Sequence, residues 1–150
     1  MFATSHVLAG GILGGLLAPR RPALAFAIGI ASHAAMDITP HWGKVTNEEF
    51  MAAAKRDGVL LTGAGLALAA LAGRSAPGVT AGAFGALLPD LNKPCQYFFG
   101  QSPFPDVVDR FHGRIQCEQP TKRRLRIELA AGVGLALVAF PYAYRIGRRR

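Results

Sequence analysis

Five predominantly apolar runs, separated by turns that contain proline or glycine, constrain this chain more than any other feature. Proline lacks an amide proton and disfavours helix in the residue before it, so it marks helix boundaries. We therefore predict a helix for each run and an all-α fold of about five short helices. The runs occupy residues 2–18, 22–38, 58–73, 79–88 and 127–144.

Polar residues refine the boundaries of these helices. Thr46 and Glu49 have the spacing of a capping box, so the third helix is expected to begin there. The last helix is predicted from about Lys122 to Ile146. Residues 89–121 mix prolines with aromatic and charged residues, and they predict a long, polar, partly helical loop.

The composition favours one helical membrane domain over residues 1–150. The chain is 51% hydrophobic, and the first run contains two overlapping G-x-x-x-G pairs, a pattern that lets helices approach closely in lipid. At about 1.5 Å per residue, runs this short reach roughly 24 Å, less than a ~30 Å hydrocarbon core. Polar ends or a thinned bilayer would accommodate them. A soluble bundle with buried helices is the alternative.

The net charge of +8 indicates a protein that contacts a membrane rather than one that binds nucleic acid. The basic residues flank the apolar runs, and no groove-reading or base-stacking element accompanies them. We therefore predict the lipid bilayer as a partner, together with partner membrane helices, and no nucleic acid. Cys95 and Cys117 are too few for a disulfide framework, and free thiols are favoured over one disulfide.

An up-and-down arrangement of the helices sorts the charges onto two sides. The first side has no acid and carries Arg20, Arg21, Arg74, Arg145, Arg148, Arg149 and Arg150. The second side has all nine acidic residues and the four histidines. The positive-inside tendency then predicts a multi-pass protein whose second side faces outward, although the basic residues at 122–126 argue for the reverse orientation.

The segment S-H-x-x-x-D-x-x-P-H-W at residues 32–42 is the strongest chemical motif. His33 and Asp37 are four residues apart, so they share one helix face and present an imidazole and a carboxylate to a divalent ion such as zinc. His41 follows Pro40 and is predicted to fold back over the same site. The simpler interpretation is a His–Asp hydrogen bond without a metal.

Other ionisable residues fall on the same side of the predicted bundle. His6 and Asp90 lie at ends of apolar helices, where such residues are costly without a partner, and His112 lies in the polar loop. Arg110 and Arg114 are candidates for binding a phosphate or lipid headgroup, or form an ordinary basic stretch. Glu49 is either a general base or simply a helix cap.

The order T-x-H, S-H-x-x-x-D-x-x-P-H-W, G-x-L-L-P-D and F-H-x-x-x-Q resembles a group of bacterial membrane-bound metal-dependent hydrolases, similar to zinc-dependent phospholipase C and P1-type nucleases. The resemblance covers residues 3–116 and implies a helical protein of the bacterial cell membrane that holds one or more zinc-like ions. The ligands it implies are His6, His33, Asp37, His41, Asp90 and His112. Where a further histidine is expected, this chain has Asn92-Lys93 and Gln116.

Two functions follow as expectations. The first is a metal-dependent hydrolase of a phosphoester or phospholipid, in which Asp37 or Glu49 accepts a proton and Lys93, Arg110 or Arg114 binds the anion. The second is a non-enzymatic membrane subunit, in which the glycine-rich faces contact partner helices and His33 ligates a pigment or haem or has no cofactor.

Overall fold

The computed structural model describes residues 1–148, so two members of the predicted basic tail, Arg149 and Arg150, lie outside the described residues. The described chain is almost entirely helical, as predicted. Seven α-helices in these residues are joined by short turns and one pair of two-residue strands. The elements are α1 Ala3–Leu17, α2 Pro22–Asp37, β1 His41–Trp42, α3 Asn47–Leu71, α4 Ala76–Leu87, α5 Asn92–Phe99, α6 Asp106–Ile115, β2 Glu118–Gln119 and α7 Lys122–Gly147.

The prediction of five short helices and one long loop needs two corrections. Two of the helices are long, because α3 has 25 residues and α7 has 26. Residues 89–121 are helical in part, as predicted, but they form two defined helices, α5 and α6, and the strand β2, since their prolines stand mainly at helix starts and between helices. The capping box is confirmed: the Glu49 amide donates to Thr46 Oγ1, and Glu49 Oε2 accepts from the Thr46 amide.

Glycines allow α1, α2 and α4 to pack with their backbones almost in contact. A Cβ on Gly10 or Gly14 of α1 would clash with the carbonyl oxygens of Gly82 or Gly78 in α4. A Cβ on Gly29 of α2 would clash with the same Gly82 carbonyl. The close approach predicted from the G-x-x-x-G pattern is therefore present, and a matching pair in α4 completes it.

The bundle has small residues inside and many large apolar residues outside. Alanines make up most of the buried apolar core, with Val7, Leu8, Leu68 and Val79 as its larger members. Large apolar side chains of α3 and α7 point outward instead, and these include Val59, Leu60, Leu66, Val133, Leu137 and Val138. Among the described helices, α7 alone is long and apolar enough to cross a membrane, and the bent pair Asn47–Leu71 with Gly73–Phe99 would make a second crossing if it forms one span.

The helices form a bundle whose two ends are closed by different contacts. At one end, the α1–α2 turn contacts the start of α4, where the Gly78 amide donates to the Pro19 carbonyl at 3.2 Å. At the other end, α1 begins where α2 and α4 finish. The parallel pair of strands closes this second end, with His41 opposite Glu118 and Trp42 opposite Gln119.

Candidate metal centre

The centre is built on the last turn of α2, where His33 and Asp37 face the same way. His33 Nε2 lies 3.1 Å from Asp37 Oδ2, and both side chains are almost fully buried. The other ring nitrogen of His33, Nδ1, lies 2.7 Å from the Ala86 carbonyl of α4. A carbonyl only accepts, so Nδ1 carries the proton and the lone pair of neutral His33 is on Nε2. That lone pair points towards Asp37, which is also an acceptor.

His112 of α6 adds a second imidazole to the same point. Its Nε2 is 3.0 Å from His33 Nε2 and 3.2 Å from Asp37 Oδ2. The segment after α6 fixes this approach, because the Cys117 amide donates to the Asp37 carbonyl at 2.9 Å and the Cys117 carbonyl accepts from the His41 amide at 3.1 Å. The small strand pair therefore holds His112 against the end of α2.

Asp90 completes the group from the short 3-10 turn that follows α4. Its Oδ1 lies 3.8 Å from His112 Nε2 and 2.9 Å from the Lys93 ammonium. Burial disfavours the charged carboxylate, but the Lys93 ammonium outweighs it and holds the pKa of Asp90 below its usual range. Asp90 is therefore available as an anionic ligand near neutral pH.

The four residues have the spacing that a metal ion requires. One ligand atom from each of His33, Asp37, Asp90 and His112 lies within 4.8 Å of the other three. Bonds of 2.0–2.1 Å in a tetrahedral zinc site place ligand atoms about 3.3 Å apart. The three separations among His33, Asp37 and His112 are 3.0–3.2 Å. This donor set of nitrogen and oxygen suits zinc or a similar divalent ion.

His6 of α1 lies beside this group and is fully buried. Its ring stacks on His33 with centroids 4.0 Å apart, and its Nε2 is 3.2 Å from Asp37 Oδ1 without hydrogen-bonding geometry. Neither ring nitrogen has a hydrogen-bond partner among the residues described. An unsatisfied buried imidazole is costly, so His6 also fits a position next to a cation.

Two predicted residues lie outside the converging group. His41 is buried in β1, and its Nδ1 is paired with the Thr39 carbonyl at 2.8 Å. His41 is not one of the four residues whose ligand atoms lie within 4.8 Å of one another, and its Nε2 is buried without a hydrogen-bond partner among the described residues. Glu49 is exposed at the start of α3, where the capping box engages its carboxylate. The structure thus gives Glu49 the capping role rather than that of a base at this centre.

Of the three residues predicted to bind an anion, one lies at the centre and two do not. Lys93 lies at the centre, but Arg110 and Arg114 do not. Both arginines are two residues from the buried His112 on α6, and two residues correspond to about 200° around a helix. They therefore point away from the centre, and Arg110 is 4.0 Å from Asp106 on the exposed surface.

Gln116 is the functional residue whose role the sequence did not show. Its side-chain amide donates to Asp37 Oδ2 at 3.2 Å and is 3.3 Å from His112 Nε2. The resemblance implied a histidine at this position, and the geometry places the position within reach of the ligands. An amide here orients Asp37 and would not replace an imidazole as a zinc ligand.

Two further buried carboxylates lie near the centre and have structural roles. Asp57 of α3 accepts from the Ala3 amide at 2.6 Å and from the Thr4 hydroxyl at 2.5 Å, so it caps α1 from another helix. Glu128 of α7 accepts from the Phe2 and Trp42 amides and joins the N-terminal segment to β1. Neither residue was predicted, because caps from distant positions leave no local pattern.

A cavity of about 510 Å³ adjoins the centre, and Asp90 is the member of the converging group that lines it. The polar part of its lining includes Lys93 and Gln116, and the carboxylates of Asp57, Glu118 and Glu128 also line it. Its walls are largely apolar and include Phe2, Trp42, Val45, Phe50 and Leu61. A ligand suited to this cavity has a polar group near Lys93 and an apolar portion along the walls.

No protein-family model matches the chain, and neither a curated protein nor a solved structure is significantly similar to it. The geometry of the centre and the cavity is therefore the basis for the proposed function.

Proposed function

We propose that the protein is a membrane-bound, metal-dependent hydrolase that acts on a phosphoester with an apolar tail, such as a phospholipid. The observation that supports this proposal most is the convergence of His33, Asp37, Asp90 and His112, beside a cavity that Asp90 lines. These side chains come from three separate stretches of the chain, and a chance cluster of acceptors this close would be unfavourable without a cation.

The chemistry needs a site for the ion, a proton acceptor and a partner for the phosphate. A zinc-like ion polarises a phosphoryl oxygen and makes water a stronger nucleophile. Asp37 would hold the ion through Oδ2, and its Oδ1, which lacks a hydrogen-bond donor of good geometry among the described residues, would accept a proton from the attacking water. As the P–O ester bond breaks, that proton would pass to the departing alkoxide.

Lys93 is the residue best placed to bind the phosphate. Its ammonium has three donors, so it can remain paired with Asp90 and still donate to a phosphoryl oxygen in the cavity. It is 27% exposed, which keeps the charge close to the cavity but partly shielded from water. Arg110 and Arg114 are not needed for this role.

The apolar exterior supports a multi-pass arrangement in a bacterial cell membrane. Small residues inside and large apolar side chains outside are unfavourable in water but suited to lipid, where packing of small residues drives association. The exposed Tyr97, Phe98 and Phe99 of α5 and Phe111 of α6 add an aromatic surface at the level of the metal centre. Such residues favour the membrane interface. The end rich in arginine would face the cytoplasm and the metal centre would face outward.

The haem or pigment alternative gains no support from His33. Its Nδ1 is engaged by Ala86, its Nε2 faces Asp37 and His112, and its ring face is covered by His6. A planar macrocycle would have to displace all of these neighbours. The glycine-rich faces are also used within the chain, between α1, α2 and α4.

The direct test is hydrolysis by protein purified in mixed micelles and loaded with zinc. We expect release of a phosphate-containing product from phosphatidic acid or phosphatidylcholine, and slower hydrolysis of p-nitrophenyl phosphate, which has no long apolar tail. His33→Ala should abolish the activity. His41→Gln, which changes a buried histidine outside the converging group, is the matched control and should retain it.

Full zinc occupancy without hydrolysis of any of these phosphoesters would refute the proposed activity. Equal rates for the wild type and His33→Ala would refute the assigned centre.

A further inference from the structure

A second cavity, of about 660 Å³, lies at the opposite end of the bundle from the metal centre. Four arginines line it: Arg20 and Arg21 from the α1–α2 turn, Arg74 from the turn before α4, and Arg145 from the last turn of α7. No aspartate or glutamate lines this cavity, and within residues 1–148 none of the four arginines has a carboxylate within 4.0 Å.

The backbone holds these three arginine-bearing segments together. The Pro19 carbonyl accepts from the Gly78 amide at 3.2 Å, which joins the α1–α2 turn to the start of α4. Gly147 packs against the backbone of Leu71 and Gly73, and Gly73 has a φ of +53°, which favours glycine. The arginines are therefore brought together by fixed backbone contacts, although their side chains repel one another.

Arginine clusters of this kind are suited to phosphate. The planar guanidinium donates two parallel hydrogen bonds to phosphate oxygens, and several guanidiniums lose their mutual repulsion when an anion lies between them. The exposed Leu16 and Leu17 line the same cavity and provide an apolar surface beside the charges. Basic pockets of this design between membrane helices bind anionic lipid headgroups.

We infer that this cavity is a binding site for a phosphate-bearing anion, held by Arg20, Arg21, Arg74 and Arg145. The site is separate from the metal centre and does not depend on the proposed hydrolase activity. The phosphate belongs either to an anionic lipid headgroup, with the acyl chain along Leu16 and Leu17, or to a soluble phosphate compound. The same arginines recognise both.

Binding is measured on the whole protein in phosphatidylcholine nanodiscs. One arm adds phosphatidylglycerol to the nanodisc, and the other adds inorganic pyrophosphate to the solution. The wild type is compared with Arg74→Ala, Arg74→Lys and Arg148→Ala. Arg148 is the matched control, because it carries the same charge at the same end but is paired with the Tyr144 hydroxyl at 2.6 Å and does not line the cavity.

We expect Arg74→Ala to weaken binding of at least one probe about tenfold, since one charge-assisted contact is lost. Arg74→Lys should give an intermediate loss, and Arg148→Ala should bind as the wild type does. Preference for phosphatidylglycerol identifies a lipid, and preference for pyrophosphate identifies a soluble anion.

Equal weakening by Arg74→Ala and Arg148→Ala would show diffuse charge attraction and overturn the inference, as would the absence of binding of both probes. The zinc content of Arg74→Ala should equal that of the wild type, so this test and that of the hydrolase can fail separately.

Discussion

Two pairs of buried carboxylates at the same end of the bundle have different surroundings. One pair is Asp57 and Glu128, and the other is Asp37 and Asp90. Asp57 and Glu128 accept mainly from backbone amides, which supply protons for their oxygens. Asp37 and Asp90 instead lie among imidazole nitrogens, and in addition Asp37 accepts from the Gln116 amide and Asp90 is paired with the Lys93 ammonium. Carboxylates surrounded by N–H donors are satisfied within the fold. Carboxylates that share their space with several imidazole nitrogens are candidates to bind a cation, and this difference separates the two caps from the two candidate metal ligands.

The largest expected effect is the loss of metal on changing Asp37. Asp37→Asn keeps the shape of the side chain but removes the anionic ligand, so zinc affinity should fall by more than the ~10–100-fold that loss of an outer partner costs. Zinc content after dialysis against a competing chelator measures this effect. Asp57→Asn is the matched control and should retain the zinc of the wild type. Equal losses in both variants would erase the distinction between the two pairs.

Zinc binding should also stabilise the fold, and this stabilisation should depend on Asp37 but not on Asp57. A ligand present at about 100 times its dissociation constant stabilises the folded state by about 2.7 kcal/mol. Thermal unfolding with and without zinc should show this gain for the wild type and for Asp57→Asn. Asp37→Asn should show little gain. A zinc-dependent shift that persists in Asp37→Asn would indicate a different site.

The third expected effect is a loss of stability when the capping carboxylate of Asp57 is removed. Asp57→Ala removes the acceptor for the Ala3 amide and the Thr4 hydroxyl, and loss of a cap costs up to about 2 kcal/mol. The free energy of unfolding, measured in denaturant titrations in micelles, should decrease by about this amount. Asp106→Ala, at an acid whose side chain is 92% exposed, should have little effect. Unchanged stability of Asp57→Ala would contradict the capping role.

The smallest effect sharpens the boundary of the metal centre. Gln116→His places a third imidazole beside His112 and Asp37, and we expect zinc affinity to rise by up to about tenfold because imidazole is a stronger ligand than amide. Competition with a chromogenic chelator measures the change. Gln119→His, in β2, is the control and should leave the affinity unchanged. A decrease in affinity on Gln116→His would show that the amide is needed to orient Asp37.

Local patterns in the sequence predicted the parts of the fold that local physics determines. Apolar runs gave the helices, and the Thr46–Glu49 capping box gave the start of α3. The G-x-x-x-G pattern predicted the close approach of α1, and the spacing of His33 and Asp37 predicted their shared face. Residues 89–121 were predicted to be partly helical, but the bounds of α5 and α6 were not predicted, because neither helix has an apolar run and prolines obscure the boundaries.

Contacts between distant residues could not be predicted in the same way. Asp57 and Glu128 bind amides 54 and 126 residues away, so no spacing in the sequence reveals them. From the sequence, Arg110 and Arg114 are candidates for binding a phosphate or form an ordinary basic stretch. In the helix α6, both arginines lie on the face opposite His112, so they point away from the candidate metal centre.

The most direct test of the metal centre is X-ray absorption at the zinc edge on protein loaded with one equivalent of zinc. The geometry predicts nitrogen and oxygen ligands at about 2.0–2.1 Å, including the outer-shell scattering of at least two imidazoles. Sulfur scattering at about 2.3 Å would place zinc at the free Cys95 or Cys117 instead, and a spectrum without imidazole would contradict the assignment of His33 and His112.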